Sequence, residues 1–145
     1  MRNAILAATA LIFSGSTYAQ NQDDWIVLRH LAASVMQVQA MVNGRASYGS
    51  GVALTPHLVV TNCHVLGTPD AKLMRGVVSS AASLRVGDPR HDVCLLNVDA
   101  ALASTPAIGQ AAALKLGERV YALGFGMGRL TTSVGEVEAL YPYWS

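Results

Sequence analysis

Gly49-Ser50-Gly51-Val52-Ala53-Leu54-Thr55, then Val59-Val60-Thr61-Asn62-Cys63-His64-Val65, then His91-Asp92-Val93-Cys94-Leu95-Leu96, form the stretch whose reading decides the fold. A small-residue turn leads into one apolar run. A second apolar run ends in Thr-x-x-His, and an aspartate opens a third. Short apolar runs bounded by turn residues read as buried strands. His64 and Asp92 lie 28 positions apart (92 − 64). Nothing in local propensity asks for a histidine at the end of one buried strand and an aspartate at the start of another. Buried polar groups are costly unless paired, so the economical reading pairs them with each other. A histidine held by a carboxylate is a general base fixed in one tautomer and orientation.

These motifs resemble those of a trypsin-like serine peptidase with the chymotrypsin fold. The style is that of the short bacterial secreted branch, whose histidine motif reads Thr-x-x-His-Val, here Thr61 to Val65. The resemblance implies an all-β, antiparallel double β-barrel. It implies His64 as general base, Asp92 as its orienting carboxylate, a polypeptide substrate and no cofactor. It also implies a serine nucleophile in a Gly-x-Ser-Gly-Gly sequence, and the 145 residues contain none. The first barrel is expected complete at about 33–99 and the second only begun at about 107–145. The expectation is a serine endopeptidase domain present as a fragment without its nucleophile, and inactive as it stands. A catalytically dead, peptidase-like binding module is the alternative. Ser50 precedes the histidine, where the family has a structural turn. Ser145 has no sequence behind it to form an oxyanion hole.

Competing readings of the other polar residues are weaker. Asp88 precedes Pro89 in a turn, where aspartate bonds local backbone, so Asp92 is preferred as the histidine's partner. His57 follows Pro56 in a turn and reads as solvent-facing, and His30 lies in the leading arm. Cys63, His64, His91 and Cys94 offer a zinc-like set, but adjacent Cys63 and His64 point to different sides of an extended segment, so no metal site is expected. Gly124 to Gly128 is not a dinucleotide fingerprint, because a strand rather than a helix is expected to follow it.

Met1-Arg2-Asn3, an apolar run from Ala4 to Phe13 broken by Thr9, and a Thr17-Tyr18-Ala19 end have the layout of a secretory signal peptide cleaved after Ala19. A membrane anchor needs about twenty apolar residues, and this run is half that. Cleavage leaves residues 20–145 as one peptidase-type domain, secreted or periplasmic, with no membrane attachment. Loss of Arg2 brings the formal charge from +1 to zero. A neutral chain without a basic stripe excludes a nucleic-acid partner. In an oxidising compartment two cysteines read as one disulfide, Cys63 to Cys94, and the bacterial relatives carry a cysteine in this place. Two free buried thiols are the alternative.

Along the chain, Asn21 to Leu31 is a leading arm, helical or extended. Ala33 to Val42 alternates as a half-buried strand, and Asn43-Gly44 is the strongest hairpin signal. Ala46 to Leu54, Leu58 to Thr61, Lys72 to Ser79, Ala82 to Val86 and Val93 to Val98 supply the other strands of a six-stranded barrel. Turns are expected at Thr55-Pro56 and Gly87 to Arg90, and a surface loop at Gly67 to Asp70. Ala100 to Gln110 reads as a connection. Arg119 to Gly124 and Thr131 to Tyr141 then begin the second module. The resemblance covers about Ala33 to Leu140.

Overall fold

The computed structural model describes residues 17–126 and 128–141. The charged start and apolar run of the expected leader, and Ser145, lie outside the described residues. Among the described residues no helix is long and apolar enough to cross a membrane.

The leading arm is a helix, α1 (Thr17–Ala32), followed by eight strands. These are β1 (Val35–Val42), β2 (Arg45–Thr55), β3 (Leu58–Thr61), β4 (Asp70–Arg75), β5 (Val78–Asp88), β6 (Val93–Val98), β7 (Arg119–Gly126) and β8 (Arg129–Glu136). The first six close into an antiparallel barrel in the order β1-β2-β3-β6-β5-β4, with β4 returning to β1. The last two form a separate two-stranded sheet. The all-β expectation holds, with one barrel complete and a second begun.

The β1–β2 hairpin turns where Asn43-Gly44 predicts. Val42 pairs with Arg45 across two residues with φ of 50° and 75°. Positive φ at both positions matches the right-handed twist of the strands. The core runs through the barrel interior, where Val38, Val59, Leu73 and Leu96 are wholly buried. Each such side chain contributes about 1.5–3 kcal/mol by leaving water.

Several strand boundaries and one burial pattern depart from expectation. The run Lys72 to Ser79 is not one strand, because Gly76 (φ 60°) reverses the chain and Arg75 pairs with Val78. Gly87 and Asp88 stay in β5 rather than turning. A Cβ on Gly87 would meet the Cys94 sulfur at 2.7 Å, so only glycine lets β5 lie flat beside β6 there. β1 is not half-buried: Val35 to Val38 are all buried, including Gln37. The tip of the second sheet covers its outer side, with Gly128 beside the Gln37 amide. Gln37 Oε1 accepts a bond from Gln39 at 2.7 Å. β7 also runs two residues beyond Gly124, and β8 ends at Glu136 rather than Tyr141.

Candidate active site

β3 ends at Thr61, Asn62 continues extended, and Cys63–Val65 form one tight 3-10 turn. This turn is seated on β2. Thr61 Oγ1 donates to the Ser50 carbonyl at 2.8 Å, and Val65 is buried against Gly49, where a Cβ would stand 2.4 Å from a valine methyl. Glycine at 49 is therefore what lets the His64 turn pack down. Across the sheet, Thr61 pairs with Cys94 on β6, which brings the residue before β6 under the turn.

That residue is Asp92, held in the left-handed region at φ 55°. Its carboxylate meets His64 twice. Oδ1 accepts the His64 backbone N–H at 2.9 Å, and Oδ2 lies 2.6 Å from Nδ1 of the ring. The Asn62 side-chain amide donates to the Asp92 carbonyl at 3.0 Å, fixing the turn that carries the carboxylate. A disulfide joins Cys63 to Cys94 with Cα atoms 5.0 Å apart, so the neighbours of both polar residues are covalently tied. Three hydrogen bonds and one covalent bond thus define the relation between the two segments.

The electrostatics follow from those bonds. The His64 N–H, and after it the His64 ring, hold the Asp92 carboxyl below its ordinary value. Asp92 is therefore ionised near neutral pH and can only accept from the ring, so Nδ1 carries a proton and Nε2 is the ring nitrogen turned away from the carboxylate. The His64 side chain is 72% exposed and Asp92 39%, so the ring can be reached from solvent. An open, largely apolar cleft of about 620 Å³ lies alongside, bounded by the disulfide, Leu66, Leu84 and Pro89.

The remaining polar residues take other places. Asp88 binds its own turn: Oδ1 accepts from the backbone of Arg90 (3.1 Å) and His91 (3.3 Å), and Oδ2 contacts the His91 ring at 2.6 Å. The ring bond from His91 is the main reason its carboxyl too lies below the ordinary value. His57 is exposed in its turn but anchored, Nδ1 lying 3.0 Å from the Val98 carbonyl. His30 is exposed on α1. The four residues of the zinc-like set have separate occupations, the sulfurs in one disulfide and the two histidines on different aspartates. Ser50 Oγ accepts the Phe125 backbone N–H at 2.7 Å and so ties β7 to the barrel. Its role, that of Asn62 and the His64 backbone bond were not visible in the sequence. Backbone donors carry no side-chain signature, and neither Ser50 nor Asn62 belongs to a repeated pattern.

A family model described as the trypsin-like peptidase domain matches residues 49–145. Among solved structures, the HtrA-type protease AlgW, solved with a tripeptide, superposes with a TM-score of 0.71 at 23% identity, covering 77% of this chain and 38% of that one. The serine endoprotease from Yersinia pestis superposes at 0.69 with 25% identity, covering 77% and 43%. The chain spans about two fifths of the length of these structures. No curated protein matches it.

Proposed function

The chain belongs to the trypsin-like peptidase domain family, and on that premise we propose that it is a serine-type endopeptidase domain whose general base is His64, oriented by Asp92. The observation that carries this reading is the 2.6 Å contact between His64 Nδ1 and Asp92 Oδ2, which leaves Nε2 free and exposed. In acyl transfer Nε2 takes the proton of a serine hydroxyl as that oxygen attacks the peptide carbonyl. It then returns the proton to the leaving amine, while Asp92 stabilises the imidazolium formed between the two steps. The substrate class is polypeptide, in keeping with the tripeptide in the AlgW structure.

These 145 residues do not catalyse that reaction by themselves. They contain no Gly-x-Ser-Gly-Gly sequence and hence neither the nucleophile nor the backbone donors that stabilise the oxyanion, the largest electrostatic contribution to such catalysis. Ser50 is not a substitute, because its oxygen is engaged by Phe125. The protein reaches the periplasm or the exterior with residues 1–19 removed, a cut that falls in the first turn of α1.

The purified chain is expected to show no hydrolysis of casein or peptide esters and no labelling by a serine-directed fluorophosphonate. Fusion to a second-barrel segment bearing Gly-x-Ser-Gly-Gly should confer labelling that His64→Ala and Asp92→Asn abolish. Labelling of the unfused chain, or a fusion indifferent to His64→Ala, would overturn the assignment. Mass spectrometry of the exported protein should find Gln20 at its amino terminus; an intact Met1 would remove the export proposal.

A further inference from the structure

We infer that the end of the barrel remote from His64 holds a binding pocket for a small aliphatic monocarboxylate. β4, β5 and β6 each run between the two ends. The cleft beside His64 is bounded by residues before β4, late in β5 and early in β6. At the opposite end a cavity of about 270 Å³ is bounded by residues late in β4, early in β5 and just after β6. No residue lines both.

The pocket has a deep apolar floor and a cationic rim. Met36 and Leu73 are buried, and Leu102 packs against the same core from the connection that follows β6. Arg75 is exposed at the mouth, where one guanidinium nitrogen, Nη1, donates to the Ala33 carbonyl. No carboxylate among the described residues pairs with Arg75, and no acidic residue lines the cavity. Ser80 lies beside it on β5 and Ser104 on the connection.

An apolar hole with one unneutralised guanidinium at its mouth selects a ligand with an apolar tail and one carboxylate head. An apolar cavity of about 150 Å³ accommodates a benzene, so this one holds a tail of about six to eight carbons. The tail would rest on Met36, Leu73 and Leu102, and the carboxylate would face the guanidinium nitrogens that Ala33 does not use. A cation left without a carboxylate beside an apolar cavity is what such a ligand completes.

The test is a titration of the ¹⁵N-labelled 145-residue protein with octanoate, followed by NMR, with octanol as the uncharged probe. Saturable shifts are expected at Ala33, Leu73, Ser80 and Leu102, with His64 and Asp92 unmoved. Octanol, or octanoate on Arg75→Gln, should bind about tenfold more weakly, the loss expected for a charge-assisted bond. Leu102→Trp should abolish binding by filling the floor, and Arg75→Lys should keep most of it. Should Arg75→Gln fail to fold, the octanol comparison and Arg75→Lys still decide. Absence of saturable shifts, equal affinity for octanol and octanoate, or shifts confined to Leu66, Thr68 and Leu84 beside the His64 cleft would each overturn the proposal.

Discussion

Opening the disulfide is the perturbation whose size follows most directly from the structure. Cys63 and Cys94 are 31 positions apart, and replacing both with alanine frees the unfolded chain from that closed loop. The chain-entropy relation puts the loss at about 3–4 kcal/mol. Cys94 is only 4% exposed, so deleting its sulfur also strips a buried contact, which pushes the cost to the upper end. With a urea dependence of about 2 kcal/mol per molar, typical of a small domain, the midpoint should fall by about 2 M. Urea unfolding followed by far-UV circular dichroism measures it. The bridge also joins the two segments that carry His64 and Asp92, so the ring Nδ1–H signal should broaden in the double variant while the Val38 amide keeps its protection. A midpoint shift below about 0.5 M would refute the entropic argument, because it would correspond to about 1 kcal/mol or less against the ~3–4 kcal/mol that the loop length predicts.

Three further outcomes are expected. Asp92 has a depressed carboxyl, so its stabilising contribution is fully present above its ordinary value of 3.8 and is lost as pH falls through the lower folded value; Asp92→Asn should remove that part of the acid transition in a pH series of unfolding midpoints and should erase the protected His64 Nδ1–H resonance. Gly51→Ala places a Cβ 2.7 Å from one Val59 methyl and 2.9 Å from one of Val38, both inside the barrel; thermal unfolding should show about 1–3 kcal/mol of destabilisation, and no loss would mean the core yields more readily than close packing allows. Ser50→Ala removes the acceptor of the Phe125 N–H; hydrogen exchange should quicken through β7 and β8 and stay slow at Val59 to Thr61, whereas equal quickening in both would show that the two sheets open together.

What the sequence disclosed and what it hid have separate physical causes. β3 and β6 were legible to the residue because each is a short apolar run with a turn signal at both ends. The Asn43-Gly44 turn was legible because its φ values demand such residues. The Gly76 turn was not, since Arg75-Gly76-Val77-Val78 reads as continuous strand unless the pairing of β4 with β5 is known. The burial of Gln37 was hidden too: it depends on a hairpin some ninety positions later laying its tip over β1. At the site, His64 and Asp92 stood out as polar residues in the wrong surroundings. Asn62 did not, because an asparagine in a turn needs no explanation until its amide is seen on the Asp92 carbonyl.

The division of labour between the two sheets bears on how the site is held. Every bond that relates His64 to Asp92 runs between the turn after β3 and the turn before β6, and both strands belong to the closed barrel. The β7–β8 sheet adds none of them. It meets the barrel at Gln37 and at Ser50, the residue next to the β2 glycine, Gly49, that seats the histidine turn, and its outer strand is exposed along its whole length. An exposed two-stranded sheet is marginal by itself, whereas six strands closed on a buried core leave no edge to fray. Orientation of the His64 ring by Asp92 is thus a property of the closed barrel, where the two segments are already fixed by their hydrogen bonds and a covalent link. On the proposed reading, a serine supplied by a second-barrel segment would find the His64 ring already oriented by Asp92, with no further ordering needed on that side when the nucleophile arrives.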